Sequence, residues 1–123
     1  MSEQATSTPG EVLLDISGVK LRLGDKPGAY AALQQSLALA EEGGHDRLAA
    51  VNRAPIHYLD GLTGDVKAMR KLADVTAWSH QRGYAWHECN GRYWLGLLRL
   101  GRGEHVEARR ELEQARALAE TLQ

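Results

Sequence analysis

Residues 95–112 read LGLLRLGRGEHVEARREL, two amphipathic runs separated at Gly103. Leu95 and Leu98 recur at helical spacing before the glycine; Ala108, Leu112 and Ala115 do so after it. Small residues at Gly96, Ala108 and Ala115 let two helices approach closely, and Leu95, Leu98 and Leu112 fill the seam between them. Gly103 supplies a turn, and Glu104 suits the positive end of the following helix.

The same arrangement occurs twice upstream. Gly24-Asp25, Gly64-Asp65 and Gly103-Glu104 stand 40 and 39 residues apart. Eight positions before each glycine sits Ile16, Ile56 or Leu95, and five before sits Val19, Leu59 or Leu98. Five positions after sits Ala29, Met69 or Ala108, and nine after sits Leu33, Ala73 or Leu112. A match on both sides of the glycine marks an internal repeat of helix pairs. The spacing predicts helices over roughly 11–23, 26–42, 46–63, 66–82, 84–101 and 104–121, the first carrying Val12, Leu13, Ile16, Val19 and Leu23 as its apolar set. Gly43-Gly44 and Gly83 end the second and fourth helices, and Asp25 and Asp65 cap helix starts. Pro55 either kinks the third helix or splits it near Ala54.

Composition agrees. The 123 residues include 18 Leu and 17 Ala but only 8 Val plus Ile, a helical bias. One cysteine excludes an internal disulfide, and no apolar run approaches the ~20 residues of a membrane span. With 15 Lys+Arg against 16 Asp+Glu, no strong field points to nucleic acid or an anionic membrane. Residues 1–10 are read as a flexible arm without the features of a signal peptide, and residues 11–123 as the repeat domain, cytoplasmic by default.

No catalytic constellation, phosphate loop or metal spacing occurs. The glycines mark turns, the carboxylates are scattered over helical surfaces, and His87 and Cys89 project in different directions. The reading is therefore non-enzymatic, with no cofactor and no metal. Arg109, Glu113, Arg116 and Glu120 form a stripe of alternating charge suited to a solvated C-terminal face.

Leu95-Gly96, Gly103, Ala108, Leu112 and Ala115 together resemble the tetratricopeptide repeat. Ser17, Gly24, Ala29, Leu33 and Ser36 match it more weakly, and His57, Gly64, Met69, Ala73 and Thr76 more weakly still. The near-40 period exceeds the usual ~34 and is similar to variant repeats in sensor regions of bacterial transcriptional activators. The resemblance implies an all-α fold: six antiparallel helices in three helix-turn-helix repeats, forming a short superhelix.

It also implies that the first helix of each pair lines a concave face. That face would present Val51, Ala54 and Tyr58 in the second copy, and Asn90, Tyr93 and Leu97 in the third. Trp86, Asn90, Tyr93 and Leu97 share one side of a helix by spacing. Trp86 is either part of that side or core, and Trp94 is expected to fill the core. Arg92 and Arg99, with Arg102, could receive an acidic segment. The expected function is binding of a protein or peptide segment; the alternatives are a ligand-sensing module and a self-associating unit built on the edge of the first helix.

Overall fold

The computed structural model describes residues 8–122. Six helices account for most of them: α1 Pro9–Arg22, α2 Lys26–Glu42, α3 Asp46–Leu62, α4 Ala68–Gln81, α5 Ala85–Gly101 and α6 His105–Thr121. No strand occurs among the described residues. The chain divides into two compact units, residues 1–56 and 57–123.

One turn chemistry joins successive helices. At the α1–α2 turn Gly24 has φ 82°. Its N–H donates to the Leu21 carbonyl (3.1 Å), and the next N–H, of Asp25, reaches back to Lys20 (2.8 Å). This is a Schellman closure, which satisfies carbonyls that the last helical turn leaves open. The pattern recurs at Gly44, Gly64, Gly83 and Gly103, each with positive φ. The turn glycines therefore repeat about every 20 residues, twice as often as the pattern that pairs Gly24, Gly64 and Gly103. Gly103→Ala is expected to cost about 1 kcal/mol, because a Cβ is strained at φ 78°. The check is the urea midpoint; an unchanged midpoint would mean that the turn relaxes freely.

In the first unit α1 packs on α2. The helix begins two residues earlier than the spacing predicts. Thr8 and Glu11 form a capping box and Pro9 occupies the first turn, where its missing N–H costs nothing. Residues 8–10 therefore belong to the fold and not to an arm, and Gly10 is buried; residues 1–7 of that predicted arm lie outside the described residues. The Ser36 hydroxyl donates to the Gly10 carbonyl at 2.7 Å, tying α2 to the start of α1. Ala29, Leu33, Ser36 and Ala40 form the buried stripe of α2.

Of the apolar set expected to bury α1, only Leu13 is half-buried. Val12, Ile16, Val19 and Leu23 are all exposed, while Gly10 and Ser17 are the buried residues of the helix. Two rows exist on α1, nearly opposite one another, and spacing alone does not say which meets a neighbour.

Pro55 lies inside one continuous helix, so α3 does not start there. In the second unit α5 packs against both α4 and α6. The turn before α4 is longer than the others: Asp65 accepts from the Lys67 N–H (2.9 Å), and the helix starts only at Ala68. The buried positions of α4 are consequently Ala68 and Leu72, one residue ahead of the Met69 and Ala73 that the repeat alignment selects. Register recovers at Thr76, which is buried like its counterparts Ser36 and Ala115.

Candidate functional site

The second unit is organised around α5, which offers a different side to each neighbour. Toward α6, Gly96 lies so close that a Cβ would sit 2.6 Å from the Leu112 side chain and 3.3 Å from the Ala108 carbonyl. On that side the buried Cys89 thiol donates to the Ala115 carbonyl at 3.2 Å. Burial, with the neighbouring Glu88 charge, raises its pKa, which suits a packing role. Toward α4, Gly91 meets the Thr76 side chain. Toward α3, Leu98 rests against Gly61.

The remaining side carries the sequence-predicted residues. Trp86 is 57% exposed and Tyr93 49%; Asn90 is exposed and Leu97 half-buried. Trp86 thus does not fill the core. Next to this row the Trp94 ring stacks on Tyr58 of α3, with centroids 5.8 Å apart and planes at 21°. Both rings are half-buried. Burial pushes the Tyr58 phenol above its ordinary pKa, and the nearby Tyr93 phenol adds to the effect. Tyr58 and Trp94 therefore form an aromatic pair across α3 and α5, and exposed Tyr93 adjoins Trp94 in sequence. Leu62 lies one turn beyond Tyr58 and is also exposed. Helical spacing alone predicts Trp94 in the core, whereas its ring is half-buried; Leu62, four residues from Tyr58, shares that side. Ala54, expected on the groove, is buried, and Val51 is half-buried.

The arginines are used differently from the expectation. The Arg92 Nε donates to Glu88 (2.8 Å), while one terminal nitrogen reaches Glu111 (3.2 Å) and Gln114 (2.7 Å) of α6. Glu88 also pairs with His80 Nδ1 at 3.0 Å, so the cluster links α4, α5 and α6. Burial alone would raise the Glu88 carboxyl; hydrogen bonds from His80 and Arg92, with the Arg92 charge, outweigh it and hold the group below its usual pKa. Arg99 and Arg102 both pair with Glu104, at 2.9 and 3.3 Å. Glu104 makes no side-chain bond to the start of α6, because its carboxylate serves these arginines. Arg92 and Arg99 are thus braces already paired with carboxylates, and the Arg99 Nε is buried without a hydrogen-bond partner. The signal was available as Glu88-x-x-x-Arg92, the favourable order for a helical ion pair.

Among the described residues, no group of three or more His, Cys, Asp or Glu could hold a metal, and no helix is long and apolar enough to cross a membrane. An open cleft of about 280 Å³ lies over Leu100, Ala108 and Leu112, and another of about 390 Å³ lies by Thr8, Glu11 and Leu48. Neither is lined by the aromatic pair. Comparison with protein-family models, curated proteins and solved structures returned no match.

Proposed function

We propose that this chain is a cytoplasmic, non-enzymatic recognition module of the tetratricopeptide type, which binds a protein or peptide segment on the α3–α5 aromatic surface. The observation that carries this is the stacked pair of Tyr58 and Trp94, with Trp86, Asn90 and Tyr93 exposed on the same helix as Trp94. Rigid rings give large contact area at low entropic cost, and such residues dominate the energetics of interfaces. Asn90 offers both a donor and an acceptor to a peptide backbone. Because Arg92 and Arg99 are already matched, the segment is recognised through apolar side chains and backbone groups, not through acidic residues.

The test is selection of peptides from a displayed random library on the wild-type chain. Selected peptides should bind Tyr58→Ala and Tyr93→Ala about tenfold more weakly each, the equivalent of about 1.4 kcal/mol per ring. Peptides that bind wild type and both variants equally would place recognition elsewhere.

A further inference from the structure

The outward row of α1 has no polar character. Val12, Ile16, Val19 and Leu23 stand at i, i+4, i+7 and i+11, with 44, 39, 46 and 78% of their surfaces exposed. They cover about 16 Å of helix. Elsewhere in the repeat the same positions are core. Ile56 and Leu95 correspond to Ile16, Leu59 and Leu98 to Val19, and all four are buried. Leu98 shows the use of such a position: it rests on Gly61, in the first helix of the preceding copy. The α1 row is thus a surface of the type that receives another helix.

We infer that α1 is a homodimerisation helix, and that its occupant is the α1 of a second copy, packed antiparallel about a twofold axis. The charged stripe of the last helix is a poor partner for this row: Arg109–Glu113 and Arg116–Glu120 pair at 3.3 and 3.2 Å there, so head-to-tail stacking on it would bury charge against aliphatic surface. The charges on α1 match an antiparallel pair. Asp15, in the middle of α1, and Arg22, at its C-terminal end, are exposed on one flank of the row. Setting Ile16 of one copy against Val19 of the other places Asp15 of each about 3 Å along the axis from its partner's Arg22, within reach of that long side chain. Surface pairs of this kind add little affinity but fix orientation. The mixture of Glu11 and Asp15 with Lys20 and Arg22 also departs from the Lys/Arg-rich face of a membrane-surface helix. A single-helix contact belongs to the small, reversible class of interface.

Sedimentation equilibrium of the full chain over a wide concentration range tests this. Wild type should show a reversible monomer–dimer equilibrium. Ile16→Lys, at an exposed site, should remain monomeric with an unchanged circular dichroism spectrum. Asp15→Arg and Arg22→Asp should each weaken the dimer about fivefold, and the double exchange should restore it. A monomer at every concentration overturns the inference, as does a dimer that Ile16→Lys leaves intact. A double exchange without recovery overturns the antiparallel arrangement. Flotation of the wild type with phosphatidylglycerol vesicles, lost in Ile16→Lys and without any dimer, assigns the row to a membrane surface and overturns the inference as well.

Discussion

Gly91→Val is expected to destabilise the protein by about 3 kcal/mol, a large share of the total for a chain of this size. The cause is local and steric. A Cβ at Gly91 would collide with the Thr76 hydroxyl and lie 3.0 and 3.1 Å from its Cβ and Cγ2. Thr76 has nowhere to go. It is buried, its branched side chain is stiff, and its hydroxyl donates to the Leu72 carbonyl at 2.8 Å. Valine improves helix propensity over glycine, but only by a fraction of the ~1 kcal/mol that separates glycine from alanine, so packing decides the sign. Truncating the partner should relieve part of the strain. Thr76→Ala removes the hydroxyl and Cγ2, and the double variant should recover about 1 kcal/mol beyond additivity. The measurement is urea denaturation of both single variants and the pair. A Gly91→Val protein with the wild-type midpoint would mean that α4 and α5 are not in this contact.

Gly91 also shows what the sequence does and does not disclose. The helices were legible within a few residues, because each closes on the same left-handed glycine and the apolar spacing is helical throughout. Gly96 was legible as a close-approach residue because it sits inside a repeated pattern. Gly91, five residues earlier, performs the same task toward α4 but belongs to no repeated position. An unexplained glycine within a helix was its only mark. Helix α1 failed differently. Its two rows both satisfy helical periodicity, and only the placement of α2 shows that Gly10 and Ser17 face inward while the four aliphatic residues do not. At the candidate site, spacing along α5 correctly grouped Trp86, Asn90 and Tyr93 on one exposed side. The long-range pairings of Tyr58 with Trp94 and of Arg92 with Glu111 depend on which helices are neighbours, and no local pattern encodes them.

Arg92→Ala should be nearly as damaging as the valine at 91, at about 3 kcal/mol, and its pH dependence distinguishes it from a packing defect. Arg92 is the only side chain that joins Glu88 of its own helix to Glu111 and Gln114 of α6 among the described residues. Its loss leaves the Glu88 carboxylate, whose side chain is 8% exposed, with the His80 ring as its remaining side-chain partner. A buried charge short of partners costs more than the pair contributed, so Glu88→Leu combined with Arg92→Met should be less harmful than Arg92→Ala alone. The sign of the pH effect follows from the depressed Glu88 pKa. In the unfolded chain this carboxyl titrates near ~4.3, so its stabilisation is fully present above that value and is lost as pH falls through the lower folded value. Wild type should therefore lose stability in acid more steeply than Glu88→Gln, and the gap between their urea midpoints should close below about pH 4. Parallel curves for the two proteins across this range would show that Glu88 is not held as a carboxylate by Arg92 and His80.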